Sequence, residues 1–152
     1  VRTAARRPWP GGTRGRLLPL AAALLAAAAA ARAEPPLAPG QEWRYRTRPH
    51  ETASTLVVAR IDDDPELGRV VHVSLRGLRL RHPRLPGGMA GEVAHLAFTE
   101  AALQGSLLAL VGHGLPVPGF DRDYEQWRRH RGGAHRVPVR DALDRLEGAL
   151  VW

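Results

Sequence analysis

Residues 69–80 read RVVHVSLRGLRL. Val71, Val73 and Leu75 fall on one parity, His72, Ser74 and Arg76 on the other. This period-two alternation, with β-branched residues on the apolar side, predicts a half-buried β-strand. At Gly77 the apolar residues move from odd to even positions, Leu78 and Leu80, the parity step that a β-bulge produces. Strand-like runs precede this segment and helical patterns follow it, so it is the strand on which sheet and helices are expected to meet.

Upstream, Glu42–Arg48 (EWRYRTR) alternates as well, with Trp43, Tyr45 and Thr47 against Glu42, Arg44, Arg46 and Arg48. Ser54–Ile61 (STLVVARI) is apolar on both parities, as suits a central strand. The acidic stretch Asp62–Gly68 reads as a solvated hairpin tip, because the spaced carboxylates of a calcium loop are missing. Downstream, Arg81–Glu92 reads as a loop and Val93–Phe98 as a short fourth strand. Thr99 and Glu100 open a predicted helix whose apolar face runs Leu103, Leu107, Leu110 and Val111. A second helix covers Asp121–Arg131 with Tyr124 and Trp127 on its buried side, and a third covers Arg140–Leu150. The fold expected is α+β: a three- to four-stranded antiparallel meander sheet followed by three helices packed on one face.

Charge is distributed unevenly. The chain has 152 residues and a formal net charge of +7, but six of its 22 basic residues precede Glu34 and no acid does, which leaves 16 against 15. The basic surplus therefore sits in residues 1–33, and the remainder lacks the field expected of a nucleic-acid binder. Residues 1–33 have the form of a secretory signal peptide: an arginine-bearing leader, the apolar run Leu17–Ala31, and Ala31-Arg32-Ala33 as a cleavage site after Ala33. That run of 15 residues is short for a membrane span, so export to the periplasm or beyond is expected, with no span after signal removal. Residues 34–40 (EPPLAPG) read as a proline-rich linker and 41–152 as a single domain.

Motifs are sparse. There is no cysteine, which excludes disulfides and thiolate metal sites. The seven histidines lack metal-ligand spacing, and nucleophile-elbow and phosphate-loop patterns are missing, so neither a metal nor a cofactor is expected. Arg44, Arg46 and Arg48 on one strand, with His72 and Arg76 on a neighbour, would form a basic platform if that sheet face stays open. Such a platform suits an acidic protein or a small anionic ligand. The leading expectation is thus an exported binding or interaction protein, of the inhibitor or immunity kind, rather than an enzyme. One alternative is a small envelope hydrolase with a site near His72, His95 and Glu51, since dispersed acids and histidines leave no local motif. Another is a structural envelope protein with no specific site.

The segments GQEWRYRTRPHETASTLVVARI, GRVVHVSLRGLRL, HLAFTEAAL and LPVPGFDRDYEQWRR together resemble a family of small uncharacterised bacterial proteins. A proline commonly stands there where this chain has Ala97. The resemblance implies a shared fold and brings no activity, cofactor or site residue with it.

Overall fold

In the computed structural model residues 35–150 are described, and from Leu37 onward they form one compact unit. The segment read as a signal peptide lies outside them. Five strands make one antiparallel sheet: β1 (Gln41–Tyr45), β2 (Thr55–Asp64), β3 (Gly68–Arg81), β4 (Met89–Thr99) and β5 (Leu107–His113). Their order is β4-β3-β2-β1-β5. The helices are α1 (Glu100–Gln104), α2 (Phe120–Arg129) and α3 (Val139–Leu150). None of the described helices is long and apolar enough to cross a membrane.

The α+β class and the antiparallel pairing agree with the sequence reading, while the strand count, five instead of three or four, and the placement of the helices do not. The helix predicted to run through Val111 stops at Gln104. Gly105 closes α1 with its amide on the Ala101 carbonyl, and Leu107–His113 becomes β5 along the free side of β1. The leucines that gave a helical stripe serve as a strand, because pairing with β1 satisfies their backbone groups. Only seven residues, Glu100–Ser106, carry the chain from one sheet edge to the other. Four strand spacings of ~4.8 Å would be about 19 Å on a flat sheet. A five-residue helix rises about 8 Å, so the sheet curls around Leu103, which is fully buried.

The second correction concerns the helices. Val71, Val73 and Leu75 are fully buried, as their parity predicts, in a core with Trp43, Leu56, Val58 and Phe98. Leu103 of α1 and Val139, Ala142 and Leu143 of α3 close this core. Packing begins at Leu37, inside the stretch read as a linker. The α2 helix is absent from that core. It lies across the opposite face of the sheet, where Tyr124 and Trp127 meet His72. The sheet is therefore covered on both sides, which the simple alternation of β3 does not anticipate.

Two bulge-like irregularities set what each face carries. Gly77 adopts φ +68° beside a register shift between Arg76 and Leu80, and a Cβ there would stand 3.3 Å from the Ala53 oxygen. This is the parity step seen in the sequence, and Leu78 and Leu80 stay buried through it. In β2 the register shifts between Val58 and Arg60, so that Arg60 opposes His72 and Asp62 opposes Val70. Without that shift Asp62 would share a face with Leu56 and Val58 in the apolar core.

Candidate functional site

The sequence-nominated residues fall into three places. His72 lies at the centre of the α2-covered face. Its ring is fully buried and stacks on His95 at a centroid distance of 5.1 Å. Ala97 opposes His72 across β3 and β4, and His95 lies two residues before it, which brings the two imidazoles together. Their Nδ1 (His72) and Nε2 (His95) atoms are 2.8 Å apart. The edges of Tyr124 and Trp127 close on His72 at 5.0 and 4.6 Å, and Phe120 closes on His95 at 5.6 Å.

Asp62 completes this cluster, and the expected solvated hairpin tip therefore begins one residue beyond it. The Tyr124 hydroxyl donates to Asp62 Oδ2 at 2.6 Å and Arg60 Nε donates to Oδ1 at 2.8 Å. His72 Nε2 approaches Oδ2 to 3.3 Å but is too poorly aligned for a hydrogen bond. Burial, with the neighbouring His95, pushes the His72 imidazole down to about 4, against the pull of Asp62. Burial lowers His95 too, while Asp123 draws it up. Burial alone would raise the Asp62 carboxyl, but Tyr124 and Arg60 outweigh it and hold the group below its ordinary value. The pair is thus neutral at pH 7, with one proton between the facing nitrogens. An N–H on His72 Nε2 facing Asp62 leaves Nδ1 to accept from His95, and this tautomer avoids a lone pair against the carboxylate.

Chemically, an ionised carboxylate beside two linked imidazoles orients His72 and leaves His95 as the ring that could take up a proton. A substrate would have to reach them, and the best-formed concavities among the described residues are elsewhere: on the outer side of α2, beside the β2–β3 turn, and around Arg48, His50 and Arg46. None is lined by His72 or His95. A zinc ion bound to both facing nitrogens at 2.0–2.1 Å would hold them about 3.4 Å apart, wider than the 2.8 Å found. Among the described residues no group of three or more His, Asp or Glu is arranged to hold a metal.

Arg48 and Glu51 form the second place. Strand β1 ends at Tyr45, so Arg48 turns away from the line of Arg44 and is only 3% exposed. Its Nε donates to Glu51 Oε2 at 2.9 Å, its Nη2 to Glu51 Oε1, and its Nη1 to Glu147 Oε2 at 2.8 Å and Asp144 Oδ1 at 3.3 Å. The amide of Arg79 donates to Glu51 at 2.6 Å and that of Arg81 to Glu147 at 2.6 Å. The knot ties the β1–β2 loop and β3 to α3. Glu51 is thus committed to Arg48 and stands apart from the His72–His95 pair with which the sequence grouped it.

Arg44, Arg46 and Arg76 make the third place. Arg44 opposes Thr55, and Thr55 opposes Arg76, so both arginines lie in one cross-strand row on the face that also carries His72. The row continues to Ala109 of β5. Helix α2 does not cover this end: Arg44 and Arg46 are exposed and Arg76 is half-buried. Among the described residues neither Arg44 nor Arg46 makes an ion pair, and Arg76 donates to the Leu115 carbonyl. Of the acids the sequence offered as neutralising partners, Glu51 is taken by Arg48, while Glu42 accepts from the Thr55 hydroxyl at 2.7 Å and keeps its charge close to Arg76, since a Cβ at Gly114 would stand 3.1 Å from Glu42 Oε2 and 3.6 Å from Arg76 Nη1. The expected five-residue platform thus contracts to the row of Arg44 and Arg76, with exposed Arg46 beyond the end of β1 beside Ser106 and Arg140, His72 under a roof and Arg48 inside the fold. At the neighbouring edge of the described sheet β5 exposes Leu108 and Val111 at 49% each, and Leu110 at 37% on the opposite side of the sheet, where it opposes Trp43.

No family model matches this chain, and neither a curated protein nor a solved structure matches it.

Proposed function

We propose that the chain is an exported binding protein whose partner is an acidic protein segment held at the open end of the sheet. Arg44, Arg46 and Arg76 meet its carboxylates, and the β5 edge at Leu108–Val111 meets its apolar residues. The observation that carries this reading is the uncovered Arg44–Thr55–Arg76 row, whose guanidiniums make no ion pair among the described residues while Arg48 makes three. Unpaired arginine is suited to carboxylates because its planar fork binds both oxygens. Apolar residues next to that charge favour a protein segment over a bare anion, since such a segment buries both kinds of surface.

The test is a titration of the isotope-labelled domain with a glutamate-rich peptide carrying leucine, and separately with inorganic phosphate. The peptide should shift the backbone signals of Arg44, Arg46, Arg76 and β5, and added salt should reduce the effect. The double change Arg44→Glu, Arg46→Glu should abolish it. Shifts from phosphate but none from the peptide would replace the protein partner with a small anion, and shifts from neither would end the proposal. A second reading, an envelope hydrolase, is favoured by the hydrogen-bonded His72–His95 pair beside Asp62. It requires a path for substrate beneath α2.

A further inference from the structure

We propose that α2 is an acid-sensitive lid: protonation of the His72–His95 pair lifts it from the sheet while the core on the opposite face stays folded. This inference is independent of the partner proposed above.

The geometry leaves no room for a hydrogen on both facing nitrogens, so His72 cannot be charged alongside a charged His95 without breaking their contact. The facing nitrogens stand 2.8 Å apart and share one hydrogen, so charging both rings sets two N–H groups against each other. The groups around His72 do not offset a cation there. From β2, Asp62 already accepts from Tyr124 and Arg60, and the Arg60 guanidinium lies 4.7 Å above the Tyr124 ring. From β4 comes His95 itself. From α2 come Tyr124, Trp127 and Phe120, with Asp123 bound to Arg122 at 2.8 Å. A cation at a fully buried position therefore gains most by moving into water, and α2 is what separates it from water.

The lid is also the part of the structure best able to move. A ten-residue helix has little stability of its own, and α2 is held by Phe120, Tyr124, Trp127 and the Tyr124–Asp62 hydrogen bond. Gly119 at φ +96° precedes it, and a turn with Arg131 at φ +48° and Gly132-Gly133 follows it. The core on the opposite side of the sheet, closed by α1 and α3, contains neither histidine.

The sign follows from linkage. Both imidazoles titrate below their ordinary value when covered, so the closed form binds fewer protons than the open one. Closure is then fully favoured above about pH 6.5 and weakens as the pH falls toward the covered value. With His72 at about 4 when covered and near 6.5 when open, the opening constant rises roughly 30-fold between pH 7.5 and pH 5.

Hydrogen exchange read by mass spectrometry at pH 7.5 and pH 5, corrected for the intrinsic rate, tests this. Peptides covering Phe120–Arg129 should exchange about 30-fold faster at pH 5, with β2 and β3 unchanged, and His72→Gln should remove the difference. Because a glutamine at position 72 can unfold the domain, the unmodified chain is also followed by histidine NMR. There His72 should titrate between pH 4 and 6.5 together with loss of α2 protection. Equal α2 exchange at the two pH values, equal acceleration of β2 and β3, or a persisting pH response in a folded His72→Gln chain would each overturn the proposal.

Discussion

Replacing Arg48 with methionine isolates the ion knot at the end of the core. The Glu51 side chain is fully buried, and three of its hydrogen bonds are accounted for: two from Arg48 and one from the Arg79 amide. Methionine fills much the same volume and removes the first two, leaving a buried carboxylate with one amide. Breaking a buried pair in this way costs about 3–5 kcal/mol, well above the worth of an exposed pair. For a domain of this size that is a fall in Tm on the order of 10–20 °C. Thermal unfolding by circular dichroism measures it at pH 7.

The pH dependence provides an internal check. Burial pushes the Glu51 carboxyl up, but Arg48 and the Arg79 amide overcome this and hold it below its ordinary value. In the native chain its contribution is therefore present above the unfolded value and lost as the pH falls through the lowered one. Without Arg48 burial prevails, the carboxyl rises, and protonation at moderate acidity relieves the penalty. The gap between the two proteins should narrow below about pH 5, and Glu51→Gln added to Arg48→Met should recover more than half of the loss. A single substitution costing less than about 1 kcal/mol at pH 7, the range of an exposed pair, would refute the argument that Arg48 belongs to the fold and not to a binding surface.

Gly132→Ala should destabilise by about 1–3 kcal/mol, because a Cβ there would sit 2.1 Å from the Trp127 ring that backs His72, whereas Gly133→Ala meets nothing within 4 Å and should be nearly neutral in urea unfolding. Leu103→Ala should cost about 2–5 kcal/mol as a fully buried side chain, and Leu110→Ala well under 1 kcal/mol; similar losses at both would restore a continuous helix through Val111. In an ultraviolet titration of the folded chain Tyr45 should stay un-ionised at pH 10, since burial pushes it up to about 12, and Tyr124 should be less than half ionised, since burial with the Asp62 hydrogen bond raises it. Since unfolded tyrosine ionises near 10, stability should fall as the pH climbs from there toward the folded values.

The local chemistry of β3 was readable because period two and the glycine step are properties of neighbouring residues. Val71, Val73 and Leu75 are buried and Gly77 marks the shift, both as the pattern requires. The failures share one origin, since each depends on a partner distant in sequence. Leu107 and Leu110 fit a helix stripe until β1 offers backbone partners. Asp62 reads as a turn residue until the β2 irregularity turns it toward His72 and Tyr124 arrives from 62 residues away. Arg48 continues the strand alternation in the sequence, yet the strand ends at Tyr45 and the charges that draw Arg48 inward lie near the C-terminus. A signal for the second covered face did exist: Ser54–Ile61 is apolar on both parities, and Val57, which faces away from the main core, is fully buried.

The two covered faces are unequal in strength, and this inequality joins the proposed lid to the proposed binding surface. One face is sealed by Leu103, Val139, Ala142, Leu143 and the Arg48 knot. The other holds α2 by three aromatic rings over a histidine pair. Falling pH therefore acts first on α2, long before the carboxylates of the knot are protonated. The segment leading into α2 contains Leu115, whose carbonyl receives the Arg76 guanidinium at the open end of the same sheet face. Lifting α2 loosens that segment and with it the arm of Arg76, while Arg44 stays fixed by its pairing in β1. Affinity for an acidic segment should then change between pH 7.5 and pH 5 in the native chain and stay constant in His72→Gln. Because Arg44→Glu with Arg46→Glu leaves the lid untouched, and His72→Gln leaves the arginines untouched, the binding surface and its gate can fail independently.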